Sequence, residues 1–398
     1  MIATGTKGGK MSNPRVYFDN SATTPLDSRV GEAMRPFYGE TFGNPSSTYF
    51  EGYEAHQAVE SARAQIAQLL GADPHEVVFT GSGSEADNTA LGIVEMFEGK
   101  SHIITSAIEH PAVLETCRHL KRHRGIDITY LPVGSDGTVD PGELARVFRP
   151  ETRLVSIMAA NNVVGTIQPI VELARIAHEH GAFFHTDAVQ AVGKLPIDVH
   201  RDHIDLLSLS AHKLNGPKGV GALIVRDGIP FRPLIWGGGQ EEGRRSSTEN
   251  VAGIVGLGKA AQIAREEMTE ESARLVQLRE KLITGIEAIT SKAYVIGHRY
   301  RRLPGHLCLG FEDLEGEAIK LLLLLDEAGI AVSTGSACAA HHATEPSYIL
   351  TAMGFDPVRA RGSLRVTLGR FNIESDVEVF LNVLPEMLSR LKPIMSAR

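Results

Sequence analysis

The sequence predicts an α/β fold: a large domain built on a mixed, mostly parallel seven-stranded sheet, followed by a smaller α+β unit. Three observations carry that prediction. Seven short apolar runs rich in β-branched residues lie between residues 77 and 225, helical patterns alternate with them, and at Val251 the pattern switches to one long helical stretch. The runs are Val77–Thr80, His102–Ser106, Ile128–Val133, Leu154–Ala159, Phe183–Thr186, Leu206–Ser210 and Val220–Val225. Strands that alternate with helices in this way pair mostly parallel and are covered on both faces.

Between the strands, Tyr53–Leu70 and Val171–His180 carry apolar residues at helical spacing, and Gly71 and Gly181 stand where helix C-caps belong. From Val251 to about Ile289 a stretch rich in Ala, Glu, Arg and Leu reads as a spine joining two domains. After it the pattern predicts a strand around Leu307, a helix at Glu317–Ala328 and a strand at Ile330–Ser333. A helix at Ser347–Met353, a strand at Leu364–Leu368 and a last helix from Asp376 to about Leu391 complete the smaller unit. We expect a flexible leader at 1–14 and a large domain at 29–275. Residues 15–28 together with 276–398 are expected to form the small domain. No fixed-period repeat is visible, which argues against a solenoid.

Composition narrows the function classes. A chain of 398 residues exceeds what one hydrophobic core organises, and 42% apolar with 22% charged residues describes an ordinary globular protein. Forty Lys and Arg against 48 Asp and Glu give a net charge of −8, which argues against a dedicated nucleic-acid binder. The basic run His298-Arg299-Tyr300-Arg301-Arg302 suggests a scaffold or RNA-associated role, but with this net charge a solvated loop is the expected reading. The three cysteines, Cys117, Cys308 and Cys338, are odd in number and far apart, so a disulfide framework is not expected and a reducing compartment is. The N-terminus carries Gly and Lys where a signal peptide needs an apolar stretch. The longest aliphatic run, Leu321–Leu325, falls far short of the roughly 20 residues of a membrane helix. A soluble, cytoplasmic protein is expected.

In open α/β sheets ligands bind beyond the carboxyl ends of the strands, so the residues after each strand matter most. Gly81-Ser82-Gly83-Ser84-Glu85-Ala86 follows a strand, opens a helix and fits the dinucleotide fingerprint, but the next strand ends at Ser106 where an acid is wanted, and Glu109 comes late. What survives is a Gly-rich turn at a helix N-terminus, a ready phosphate site with Ser84 as hydroxyl donor. A near-match to a P-loop, Gly253 to Lys259, has Ala260 in the place of the Mg²⁺-binding hydroxyl and follows no strand. Its small residues are expected to serve helix packing.

Two further strand ends carry chemistry. Asp187 terminates an apolar strand, where it is an N-cap, a metal ligand or a carboxylate for a protonated ring nitrogen. Lys213 follows Ser210 and His212 ahead of a Gly/Pro-rich turn, and is either solvated or a lysine desolvated for Schiff-base chemistry. A phosphate cup, an acid for a pyridinium nitrogen and a lysine for an aldehyde, in this order on successive strands, together describe a pyridoxal phosphate site.

The strings YFDNSATTP from Tyr17, GNPSS from Gly43, GSGSEADN, IEHPAVLETC, NNVVGTIQPI, HTDAVQAVGKLPIDV, SLSAHKLNGPKGVGAL, RRSSTEN and STGSAC resemble the NifS/IscS-type cysteine desulfurases, class V members of the fold-type I pyridoxal phosphate superfamily. The likeness runs from about Tyr17 to the last helix. It implies that Lys213 holds the cofactor, that Asp187 keeps the pyridine nitrogen protonated, and that His110 stacks on the ring and relays protons. Asn162 and Gln190 would bond the ring hydroxyl region. Gly83, Ser84, Ser210 and His212 would bind the phosphate, joined by Thr248 from a second subunit, which makes a homodimer part of the site. Arg365 would take the α-carboxylate of L-cysteine, assisted by Asn44, and Cys338 would be the nucleophile that receives sulfur as a persulfide while L-alanine leaves. No resident metal is implied.

The resemblance implies delivery of that sulfur to an acceptor protein, an iron–sulfur scaffold first. Selenocysteine lyase activity and sulfur donation for tRNA or DNA thiolation are the alternatives. The sequence departs from the family at Ala339-Ala340-His341-His342-Ala343-Thr344, one residue longer than usual, and at Val163 and Ala211. His341 and His342 are open to metal binding, to assisting the thiolate, or to simple solvation.

Overall fold

The computed structural model describes residues 15–312, 314–335 and 345–395. The chain opens with β1 (Val16–Tyr17), α1 (Ser28–Met34) and the long helix α2 (Phe50–Leu70). Gly71 ends α2 at φ +62° and its N–H caps Ala67, so the expected C-cap glycine supplies the left-handed conformation that other residues resist. The large sheet then builds from β2 (Val77–Thr80), α3 (Gly83–Gly92), β3 (His102–Ser106), α4 (Pro111–Arg124), β4 (Asp127–Leu131), α5 (Pro141–Arg146), β5 (Thr152–Ser156), α6 (Ile170–Glu179), β6 (Phe183–Asp187), β7 (Leu206–Ser210) and β8 (Gly221–Val225).

The strand order is β2-β8-β7-β6-β5-β3-β4. β8 runs antiparallel to both its neighbours, β2 and β7, and every other pairing is parallel. Successive residues of each strand enter opposite cores: Val77 and Phe79 join one apolar cluster and Val78 the other, as do Ile104 and Ile103, and Leu207 and Leu206. Two covered faces are the reason these strands read as continuous apolar runs instead of alternating ones.

Helix α7 (Val251–Ile289) follows, with the bounds the sequence predicts. Its buried residues from Ile254 to Ala264 belong to the core of the large sheet, and those from Leu275 to Ile286 to a second core. That change of partner along one helix supports the proposed division near residue 275. The Gly253–Lys259 segment lies inside this helix. A Cβ on Gly258 would stand 2.5 Å from the Ala62 Cα of α2, so the glycine permits close helix packing.

The second core surrounds a four-stranded sheet of order β12-β13-β10-β9, made by β9 (Ala293–Val295), β10 (His306–Phe311), β12 (Ser333–Thr334) and β13 (Leu364–Thr367). Helices α8 (Ala318–Glu327), α9 (Tyr348–Ala352) and α10 (Glu374–Met395) belong to the same part of the chain. The single strand expected at Ile330–Ser333 is two: β11 (Ile330–Ala331) pairs parallel with β1, while β12 pairs with β13. Through β1 and the packing of Val16 and Phe18 in the second core, the N-terminal segment joins the C-terminal part of the chain. Among the described residues no helix is long and apolar enough to cross a membrane.

Candidate active site

A cleft of about 780 Å³ opens at the carboxyl ends of β2, β6 and β7, bounded on its far side by Asp19, Ser333 and Arg365. That volume suits one small organic ligand. The structure brings into this one cleft Gly83, Ser84, His110, Asn162, Asp187, Gln190, Ser210, His212, Lys213 and Arg365. Asn44 and Thr248 are exposed and do not line it. The Asn44 side chain accepts from the Ser46 N–H at 3.0 Å, and Thr248 sits beside Ser247 and Asn250 in a neighbouring depression. Cys338, His341 and His342 lie outside the described residues.

The phosphate-shaped end is built by α3. Ser82 caps it, accepting from the Glu85 N–H at 3.1 Å, which leaves the first helical N–H groups facing the cleft without intrahelical partners. Gly83 is required by space: a Cβ there would approach Val189 Cγ2 to 2.8 Å. Gly221 on β8, which the sequence reading missed, backs the turn, since its Cβ would come within 2.8 Å of the Ser82 carbonyl carbon. Ser210, His212 and Lys218 complete this end. Burial, followed by the charges of Lys213 and Lys218, lowers the His212 pKa to about 4, so the ring is a neutral hydrogen-bonding group.

Asp187 terminates β6, and its Oδ1 accepts the Val189 N–H at 2.9 Å. Burial raises its pKa, and the charges of His110 and Lys213 oppose that shift. His110 caps α4, its Nδ1 accepting from the Ala112 N–H at 3.2 Å, which fixes the ring at the cleft. The Lys213 amine donates to the carbonyls of Ser21 and Ala22, the latter at 2.6 Å. Gln190 donates to the Ser21 carbonyl at 2.9 Å, so the loop after β1 and the β6 end hold each other across the lysine.

Arg365 on β13 is almost wholly buried. Leu364 and Val366 enter the second core from the opposite face of the strand, as their alternation predicts. The guanidinium donates from Nη2 to Asp19 Oδ1 at 2.8 Å and from Nη1 to the Asn162 carbonyl at 3.0 Å. Asp19, the partner that aims it, was visible only as one letter of a motif string.

A helix N-terminus for a phosphate, an aspartate for a ring nitrogen and a lysine amine between them fit pyridoxal phosphate, and the space that Gly83 and Gly221 preserve is consistent with a phosphate close to backbone. The aminotransferase class-V family matches residues 16–380. "Cysteine desulfurase IscS" of Methanosarcina thermophila is 50% identical over 382 residues, covering 96% of this chain and 93% of that one.

The chain belongs to the cysteine desulfurases.

Among solved structures, a "NifS-like protein" is 44% identical, covers 94% of this chain and 99% of its own, and superposes with a TM-score of 0.88. "SspA in complex with cysteine" is 39% identical, with coverage of 90% and 100% and a TM-score of 0.78. The desulfurases are a branch of the class-V aminotransferases, which are pyridoxal phosphate enzymes. The buried Cys117 and Cys308 of this desulfurase have pKa values pushed up by burial to about 12 and about 11, so neither is a ready nucleophile. The basic run at 298–302 is largely structural. Arg302 donates to the Ile296 and His298 carbonyls, both at 2.7 Å, and Arg299 pairs with Glu280.

Proposed function

We propose that this enzyme removes sulfur from L-cysteine with pyridoxal phosphate, yields L-alanine, and carries the sulfur as a persulfide on Cys338. The observation that carries the reading is the convergence of Asp187, Lys213 and the α3 N-terminus in the cleft that Arg365 closes. The bound cofactor supplies an electron sink for the bonds at the substrate α-carbon. Lys213 would hold its aldehyde, and its amine would move the α-proton. Asp187 would pair with the ring nitrogen, His110 would face the ring, and Asn162 and Gln190 would bond the hydroxyl side. Ser84, Ser210, His212 and the first N–H groups of α3 would bind the phosphate.

Arg365 would take the substrate carboxylate, and Asn44, which does not line the cleft, has no contact with it there. The Cys338 thiolate attacks the substrate sulfur: an S–S bond forms, the Cβ–S bond breaks, and its electron pair with a proton completes the methyl group of L-alanine. Ser333 lines the cleft five residues before Cys338, within a reach of about 17 Å for an extended chain. Ser347 Oγ donates to the Gly335 carbonyl at 2.9 Å, which ties the residues on either side of the segment that carries Cys338 to each other.

A homodimer completes the site, with Thr248 of each chain reaching the partner's phosphate. Its support is the position of Thr248 outside its own cleft and the exposure of Phe42, Phe50 and Trp236, each at least 69% accessible. The sulfur acceptor is a protein of iron–sulfur cluster assembly, in keeping with the IscS name of the relatives. The test is spectroscopic and chemical. The purified protein should carry a visible Schiff-base band that Lys213→Ala abolishes, and L-cysteine should be converted to L-alanine. A colourless wild-type protein that takes up no pyridoxal phosphate, or one inert to L-cysteine, would sink the reading.

A further inference from the structure

Beneath the cleft lies a group of buried carboxyls that the reaction described above does not use. Asp87, on the second turn of α3, is 1% exposed and borders the cleft floor beside Asp187. Its Oδ1 has no hydrogen-bond partner among the described residues. The Ser208 hydroxyl of β7 bonds the carboxyl group. His185 of β6 stands close by: its Nε2 is 3.7 Å from Asp87 Oδ1 and bonds Ser208 Oγ at 3.0 Å, while its Nδ1 meets Ser156 Oγ at 2.8 Å. Complete burial lowers the pKa of His185 to about 3, so the imidazole is neutral and neutralises nothing.

Two further acids face Asp87, and of these Glu109, raised by burial to a pKa of about 8, is itself protonated at neutral pH. Asp187 comes from the end of β6, and Glu109 comes from the loop before α4, with its Oε1 2.5 Å from Ser106 Oγ and both oxygens accepting from the Met158 N–H. The charges of His110 and Lys213 act on Asp187. Two ionised aspartates in this floor would leave a second buried charge with an unpartnered oxygen, at a cost far above that of holding one proton.

We propose that Asp87 is a positioning residue that stands as a neutral carboxylic acid beneath Asp187, so that Asp187 carries the carboxylate charge that a protonated ring nitrogen meets. Burial, with the charge of Asp187 second, raises the Asp87 pKa well above the carboxylate range, in line with that geometry. The inference rests on the cofactor reading but concerns a proton that the protein itself holds. Raising the pH far enough to ionise Asp87 would add a second negative charge under the ring and stabilise the protonated pyridine further.

The experiment uses the purified holoenzyme with aspartate carboxyl-labelled by ¹³C. Infrared spectra at neutral pH should show a protonated-carboxyl band that moves with the aspartate label and disappears in Asp87→Asn, while the unlabelled band of Glu109 persists. Asp87→Ala should weaken cofactor binding about tenfold, and the neutral isostere Asp87→Asn should restore it. An aspartate acid band absent from the wild type, or still present in Asp87→Asn, overturns the proposal, as does failure of Asn to rescue. A protein without a visible band would instead defeat the cofactor reading, and its infrared spectrum would still decide the state of Asp87.

Discussion

The Arg365 guanidinium is locked against Asp19, with Nη2 2.8 Å from Oδ1, although the two residues are 346 positions apart and lie on the two chain segments that close the cleft. One edge of the arginine is thereby fixed and its orientation set before any substrate arrives. Pairs of this kind are strong because both partners are charged and the site is buried.

Asp19→Asn should therefore raise KM for L-cysteine while leaving the visible band in place, and Arg365→Lys should do more, because an ammonium cannot bond both carboxylate oxygens in one plane. The expected loss is roughly 10- to 100-fold in kcat/KM, read by steady-state kinetics on cofactor-saturated protein. An unchanged KM in both variants would remove Arg365 from substrate binding.

Gly221→Ala should loosen the phosphate end without touching any ligand-binding side chain. The new methyl would meet the Leu209 carbonyl oxygen at 2.6 Å and the Gly83 nitrogen at 3.0 Å, both backbone atoms that cannot swing aside. Equilibrium titration of the apoprotein should show cofactor affinity weakened by about tenfold, with a lowered Tm.

Strand positions were legible in the sequence because the large sheet is buried on both faces, which turns each strand into a short apolar run that a helix pattern does not imitate. The short strands β1 and β9 were not, since two or three residues show no periodicity. Nor was the break at Val332, where one residue carries the chain from β11 to β12. Of the site, the residues with a recognisable chemical type at a strand end stood out, Lys213 and Asp187 above all. Asp19, Asp87 and Gly221 did not, because their roles come from what they touch across the fold. Glu109 was visible only as an acid too late for a ribose, and its burial could not be read from one letter.

Breaking the buried pair between Arg63 and Glu241 should unsettle the segment that bears Thr248. Arg63 Nη2 lies 2.8 Å from Glu241 Oε1, and Glu241 Oε2 also accepts the Phe79 N–H at 2.9 Å, which pins residues near 241 to α2 and β2. Glu241→Ala leaves the buried Arg63 guanidinium with only the more exposed Glu60, 3.0 Å from its Nε, as counter-charge and should cost about 3 kcal/mol in denaturant unfolding. Weakened dimerisation should appear by sedimentation at concentrations where the wild type stays associated.

Glu109 gives a pH dependence of definite sign. Burial raises its pKa to about 8 from an ordinary 4.5, so between those values the folded protein holds a proton that the unfolded chain has released. Its contribution favours folding below the ordinary value and is lost as the pH climbs towards 8. Glu109→Gln should flatten the decline in unfolding free energy across that window, measured as the difference between variant and wild type at each pH.

In the proposed reaction the sulfur of L-cysteine passes to Cys338. Mass spectrometry of the holoenzyme after one turnover with L-cysteine, without reductant, reads this directly. We predict that the peptide containing Cys338 gains one sulfur atom, that L-alanine appears in equal amount, and that Cys338→Ser forms neither at a comparable rate. Added sulfur on Cys117 or Cys308, or full L-alanine production by Cys338→Ser, would contradict the account.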